Sequence, residues 1–330
     1  MKLNNAITDV PGIEVGQAQD DEALTGCTVV LCRKGAVAGV DVCGSIPGTR
    51  ETDLLNPVNL VEKAHAIVLA GGSAFGLDAA SGVMRYLDEQ NIGFETVAGK
   101  VPIVPAAILF DLNLGRGDVR PDAEMGYRAV SSASTDAPVE GNAGAGAGAS
   151  VGKIFGLKNA LKSGIGTASF NVNGLIIGAI IAVNSFGDVV DPNTGQIIAG
   201  VRSTNLRPLK LGQEGYFGDT LEIMKTFIGR RVLSFATKAN TVIGVVATNA
   251  KLTKAEATKV AQMAQDGLAR TIRPAHTMLD GDAIFALATG EKKADPTTVG
   301  SFAAEVVAQA IIRAVQKAAP AGGLPGLNQE

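Results

Sequence analysis

Tryptophan is absent from this 330-residue chain, and aromatic residues make up only 4% of it. A core built without large rings must be filled by Ala, Val, Ile, Leu and Gly, which favours closely packed layers of sheet and helix. Cysteine is scarce. Cys27, Cys32 and Cys43 are odd in number and lack C-x-x-C spacing, so a disulfide framework or a thiolate metal site has little support. Small buried thiols in a reducing compartment are expected instead. Basic clusters are also missing. Lys and Arg number 29 against 32 acidic residues, for a net charge of −3, so nucleic-acid binding has no electrostatic footprint. The first residues, Met1 to Ala6, contain no apolar stretch of signal-peptide type. The longest apolar run, Leu175 to Val183, is too short to cross a bilayer. A cytoplasmic protein without membrane partners is expected.

What is present is a large apolar fraction, 46%, enough for a substantial core in one domain of 330 residues. Thr28–Cys32 and Ala36–Val42 read as two strands around Arg33-Lys-Gly35. Ala66–Ala70 is a buried strand running through Gly71-Gly72-Ser73 into a helix near Leu77–Glu89, with Leu77, Ala80, Val83, Met84 and Leu87 on one face. Pro121–Ser132 reads as a short helix, and Gly141–Gly152 as a Gly/Ala loop. Gly164–Val172 and Leu175–Asn184 form a hairpin around Asn173-Gly174, the pair a type I′ turn requires. Asp188–Lys210 is expected to be irregular, and Phe217–Asn240 to hold one short helix. Val242–Thr248 is a buried strand. Thr253 and Glu256 form a capping box opening a helix to about Arg270. Ala283–Thr289 is a strand and Thr298–Ala318 a final helix. The strands are apolar on both faces and need helices or a second sheet to cover them.

Several motifs come close and fail. Residues 144–153 resemble a phosphate loop, but Ala147 stands where Gly is needed, and Ile154 where Ser or Thr must follow Lys153. The dinucleotide pattern survives only as Gly144, Gly146 and Ala149, without a preceding strand. Ser73 follows a strand and precedes a helix, yet Phe75 breaks the G-x-S-x-G elbow. Its expected role is to cap the helix. Asp280 and Asp282 alone supply too few oxygens for a hard cation. No metal or organic cofactor is expected.

Asn240-Thr241 remains, at the point where a polar stretch becomes a buried strand. Some forty residues on lie two carboxylates one residue apart, Asp280 and Asp282. A Thr inside a chain is unremarkable until the peptide bond before it breaks. It then carries both a hydroxyl nucleophile and an amine that can activate it.

Several stretches together resemble the L-aminopeptidase D-esterase family, which also contains β-peptidyl aminopeptidases and the nylon-oligomer hydrolase. They are Thr8–Gly16, Thr25–Val29, Gly71–Leu77, Gly144–Lys153, Val183–Asp188 and Asn240–Asn249, in order and over nearly the whole chain. The resemblance implies an αββα four-layer sandwich like that of N-terminal-nucleophile hydrolases. It implies a single domain over residues 1–330, cut at 240/241 into a larger piece, 1–240, and a smaller one, 241–330. Aminopeptidases of the family open the second piece with Ser after Gly. The Asn240-Thr241 junction and the paired Asp280 and Asp282 look like the nylon-oligomer branch, and Lys153 and Asn184 fall on its other polar positions. Where some members carry an oxyanion Tyr, this chain has Phe110, which has no hydroxyl. Thr241, Asn184, Lys153, Asp280 and Asp282 are the expected catalytic residues, with Gly144, Gly146 and Phe110 against substrate. His276 is expected to be structural. The implied activity is hydrolysis of small peptides or oligoamides by a homotetramer. Acyl transfer of the ornithine acetyltransferase kind and non-catalytic small-molecule binding are the alternatives.

Overall fold

Eighteen consecutive residues, Thr25–Val42, form a single strand where the sequence suggested two. The Arg33-Lys-Gly35 interruption slips the register between Leu31 and Ala36 without ending the strand, and Gly35 takes the left-handed φ of 70° that the slip requires. The computed structural model describes residues 3–203, 205–206, 209–210, 217–227, 229 and 240–329. Its main sheet has nine strands. They are β1 (Glu14–Asp20), β2 (Thr25–Val42), β3 (Thr49–Arg50), β4 (Lys63–Ala70), β5 (Ala106–Ile108), β6 (Ile165–Val172), β7 (Leu175–Asn184), β8 (Thr241–Ala250) and β9 (Ala283–Lys292). Their order is β6-β7-β8-β9-β2-β4-β5-β3, with β1 also on β2.

The first half of β2 pairs with β1 and β4, and its second half with β9. β2 therefore belongs to both halves of the sheet, and the sheet folds over on it. Alternation along the strands shows the result. Ile180 and Ala182 of β7, Ile243 and Val245 of β8, and Phe285 and Leu287 of β9 bury together with Val30, Ile67 and Leu69 from the other half. The opposite faces of β7, β8 and β9, with Ile181, Val183, Val242, Val246 and Ile284, are covered by α3 and α4. Cys27, Val29, Val68 and Ala70 lie beneath α1 and α2. Here α1 is Ala79–Glu89, α2 Ala123–Ser131, α3 Lys254–Thr271 and α4 Pro296–Gln316. Helix, sheet, sheet and helix make an αββα sandwich, held by three apolar layers of small aliphatic side chains.

Local chemistry sets the boundaries. Asp122 accepts from Met125 N at the start of α2, and Asp295 accepts from Thr297 N and Thr298 N ahead of Pro296 in α4. The Thr253–Glu256 capping box opens α3. Asn173 and Gly174 both take positive φ in the β6–β7 turn. Ser73 does not cap: the residue ahead of its short 3-10 turn is Gly72, in the left-handed region, and no side chain accepts there. Asp188–Lys210 is less irregular than its polarity suggests. Asp188–Val190 is a buried strand pairing with Ile197–Ala199 and with Ile272–Arg273. The Gly/Ala stretch contains a 3-10 turn at Gly144–Gly146 and a two-residue strand at Ser150–Val151. α4 is long and apolar enough to cross a bilayer by length and composition. Its apolar residues are spent on the core, where Val299, Ala303, Val307, Ile311 and Val315 are buried.

α3 and α4 approach closely at Gly267, where an added Cβ would sit 2.1 Å from the Ala304 carbonyl oxygen. Gly267→Val is expected to destabilise the fold by about 1–3 kcal/mol through overpacking, read as a lower urea midpoint. An unchanged midpoint would contradict this helix contact.

Candidate active site

β8 lies between β7 and β9, antiparallel to the first and parallel to the second. In the antiparallel ladder Thr241 stands opposite Asn184. In the parallel direction the pairing extends back to a bridge between Asn240 and Asp280. Residues 184, 240–241 and 280–282 therefore meet at one end of the sheet. Successive residues alternate faces, so Thr241 shares the face of Ile243 and Val245, and Asn184 that of Ala182 and Ile180. Both belong to the space between the two sheet halves.

The Thr241 hydroxyl donates to the Asn240 carbonyl oxygen at 2.5 Å. That oxygen also accepts the Gly281 backbone N–H at 2.9 Å. The hydroxyl and a backbone donor thus converge on the oxygen of the peptide bond between residues 240 and 241. The Asn240 side-chain amide donates to the Leu279 carbonyl at 3.2 Å. Gly281 has no room for a side chain: a Cβ would lie 2.9 Å from Thr241 Oγ1 and 2.6 Å from the Ile46 carbonyl oxygen.

The carboxylates are held rigidly. Asp282 Oδ1 accepts from Val242 N at 2.8 Å, and Oδ2 accepts the His276 ring Nδ1–H at 2.9 Å. Asp280 Oδ2 accepts from Thr277 N at 2.9 Å and from Thr277 Oγ1 at 2.5 Å. Behind them, the N–H groups of Cys43 and Gly44 donate to the Asp282 carbonyl, and those of Ser45 and Ile46 to the Asp280 carbonyl. Four backbone donors from one loop fix the turn that carries both acids.

Lys153 donates to Asn184 Oδ1 at 2.6 Å and to the Asn184 carbonyl at 3.0 Å. Asn184 Oδ1 also accepts from Ser150 N, and its Nδ2 donates to the Phe110 carbonyl at 2.9 Å. Asn240, Thr241, Asn184, Lys153, Asp280 and Asp282 are all buried. Burial brings the Lys153 ammonium down to about 7, against the opposing pull of Asp280 and Asp111. Burial likewise raises Asp280, and the nearby Asp282 charge raises it further, while Thr277 and Lys153 pull the other way. For His276 burial favours the neutral ring, but the hydrogen bond and charge of Asp282 outweigh it and the pKa rises. Lys153, His276, Asp280 and Asp282 thus gather, buried or half-buried, at the strand end that carries Thr241, where each proton position matters.

The six polar residues expected from the sequence come together. Phe110 joins them only through its backbone carbonyl. Gly144 and Gly146 pack closely against the scaffold. A Cβ on Gly144 would meet Thr28 Oγ1 at 2.3 Å, and one on Gly146 would meet Ile165 N at 2.3 Å. The Gly/Ala stretch reaches the site only further on, at Ser150 and Lys153. His276, expected to be structural, is the direct partner of Asp282. Ser150, Thr277 and the Gly281 N–H were not foreseen. The Thr-x-x-Asp spacing of residues 277–280 was the one available signal; backbone donors leave none. Asp111 and Lys162 form a second buried pair of charges, with Asp111 accepting from Thr25 Oγ1 and Gly72 N, and Lys162 donating to the carbonyls of Gly146 and Ser163.

The αββα sandwich is that of the N-terminal-nucleophile hydrolase fold class. The chain belongs to peptidase family S58, whose model matches residues 5–328. It is 44% identical to an uncharacterized aminopeptidase of Mycobacterium leprae, over 97% of this chain and 92% of that one. It is 28% identical to a 6-aminohexanoate-oligomer endohydrolase of Kocuria sp., over 93% and 85%. Among solved structures it resembles a Burkholderia sp. β-aminopeptidase, with a TM-score of 0.68, 24% identity and coverage of 98% and 91%. It also resembles the L-aminopeptidase D-Ala-esterase/amidase of Ochrobactrum anthropi, described as a variant of the N-terminal-nucleophile hydrolase fold, with a TM-score of 0.69, 19% identity and coverage of 95% and 86%. The protein is a hydrolase acting on peptide or linear amide bonds.

The buried lysine sets a pH dependence of stability. Folded Lys153 releases its proton near pH 7, whereas the unfolded chain holds it up to the ordinary 10.5. Between those values the unfolded state binds more protons, so rising pH stabilises the fold. In a Thr241→Ala background, Lys153→Met is expected to make stability rise less steeply from pH 7 to 10. Equal slopes in pH-dependent urea titrations would contradict this.

Proposed function

We propose that the chain cuts itself between Asn240 and Thr241 and then uses the freed Thr241 to hydrolyse small peptides or oligoamides. The carrying observation is the Asn240 carbonyl, which has the Thr241 hydroxyl at 2.5 Å and the Gly281 N–H at 2.9 Å. In processing, Oγ attacks the Asn240 carbonyl carbon and the Gly281 N–H stabilises the oxyanion. The C–N bond breaks, the amide nitrogen takes a proton, and an ester joins Asn240 to Thr241 Oγ. Water opens that ester, leaving a carboxylate on residues 1–240 and a free amine and hydroxyl on Thr241.

In turnover the same hydroxyl attacks a substrate amide. The Thr241 α-amine, with a reference pKa of about 8, accepts the Oγ proton and passes it to the leaving nitrogen. Water then hydrolyses the acyl ester and returns a proton to Oγ. Asp280 and Asp282 hold the amine as a cation or orient it as a base, and Lys153 opposes its protonation by like charge. Asn184 is fixed by Lys153, Ser150 and Phe110 and serves as a positioning and oxyanion-facing amide. Neither a metal nor an organic cofactor enters these steps. The substrate classes follow the aminopeptidase and oligoamide hydrolase names of the relatives. A homotetramer of processed protomers in the cytoplasm is part of this proposal, and the free thiols of Cys27, Cys32 and Cys43 suit a reducing compartment.

On a denaturing gel the mature protein is expected to give pieces of about 24 and 9 kDa, in proportion to chain length, and Thr241→Ala one chain of 33.6 kDa. That variant should lose amidase activity, while Thr241→Ser keeps both processing and some turnover. An uncut wild-type chain with full activity would overturn the reading. Gly281→Ala, which crowds Thr241 Oγ1 and the Ile46 carbonyl, should slow appearance of the two pieces by at least roughly tenfold, about 1.4 kcal/mol in barrier. Processing at the wild-type rate would remove Gly281 from the mechanism.

A further inference from the structure

Before the chain is cut, Asn240 occupies the position that a substrate acyl group must take afterwards. Its carbonyl oxygen accepts both the Thr241 hydroxyl and the Gly281 N–H. Its side chain is fully buried, and Nδ2 donates to the Leu279 carbonyl at 3.2 Å. The backbone of Asn240 pairs with Asp280. The site is therefore already shaped around an acyl group with an N–H donor on the carbon γ to the carbonyl.

Processing turns the Asn240 carbonyl into a carboxylate beside the buried Asp280 and Asp282. A substrate acyl group must replace it for turnover. When Asn240 leaves, the Leu279 carbonyl loses its donor. Losing that bond at a half-buried acceptor costs free energy, so the site favours an acyl group that brings an N–H to the same place. Between the carbonyl carbon and Nδ2 of Asn240 lie Cα, Cβ and Cγ. The same spacing occurs in asparaginyl residues and in γ-aminoacyl units. We propose that the mature enzyme selects amides whose acyl part is asparaginyl or γ-aminoacyl, with the Leu279 carbonyl as the specificity determinant. This inference rests on the self-processing reading above.

The test uses purified two-chain enzyme and two substrates of nearly equal shape, N-acetyl-asparaginyl and N-acetyl-leucyl p-nitroanilide. They differ in whether the side chain carries an N–H donor. One satisfied hydrogen bond predicts a preference in kcat/KM of roughly tenfold for the asparaginyl substrate. The tripeptide Lys-Ala-Asn, which reproduces residues 238–240, should inhibit competitively and more tightly than Lys-Ala-Leu by a similar factor. Equal kcat/KM values, or a leucyl preference, would overturn the inference. So would hydrolysis of neither anilide by an enzyme that still cuts linear 6-aminohexanoate dimer, and that result would leave the amidase reading standing. A processed protein that cuts none of these amides would overturn both.

Discussion

The site depends on one pairing, β8 between β7 and β9. Because the pairing with β7 is antiparallel, the start of β8 meets the end of β7, which brings Asn184 to Thr241. Because the pairing with β9 is parallel, the start of β8 also meets the start of β9, which brings the Asp280–Asp282 turn to Asn240. Three segments far apart in sequence are thus joined by backbone hydrogen bonds in the middle of a sheet, where slippage by one residue would turn every side chain to the opposite face. The folding of the sheet at β2 then encloses that end between two apolar layers. A hydroxyl on such a strand end is positioned by the core itself, so little further ordering is needed when substrate binds.

Burial gives the positioned groups their chemistry. Lys153, Asp280 and His276 all sit away from their ordinary proton affinities, each for a different balance of burial and neighbouring charge. No single one of them is an obvious general base in the intact chain. In the self-processing we propose, the arrangement becomes a catalytic pair when the backbone beside Thr241 opens and an amine appears near the acids and the lysine. The Cys43–Ile46 loop has a supporting role here. Its four N–H groups hold the acidic turn in place.

Much of the architecture could be read from the sequence where local chemistry decides it. The Asn173-Gly174 turn, the Thr253–Glu256 capping box and the apolar face of α1 are each set by residues within a few positions of one another. The one long strand β2 was not legible, because Arg33-Lys-Gly35 is a break by local rules and tertiary pairing overrides it. In the site, Thr241, Asn184, Lys153 and the two acids follow from motif resemblance; the ladder explains why Asn184, Thr241 and the acids converge, and Lys153 joins them through Asn184. His276 escaped because its role depends on a contact across a turn with positive φ, and Gly281 because its contribution is a backbone N–H. Gly144 and Gly146 are glycines for a packing reason as well: Thr28 and Ile165 stand where a Cβ would go.

The most direct test is to quench the enzyme with acid during turnover of a slow ester or amide substrate and measure the masses of its chains. The account predicts that the chain beginning at Thr241 gains the mass of the acyl group, and that fragmentation places it on Thr241. An adduct on Ser73 or any other residue, or one on a chain still joined across Asn240 and Thr241, would contradict it.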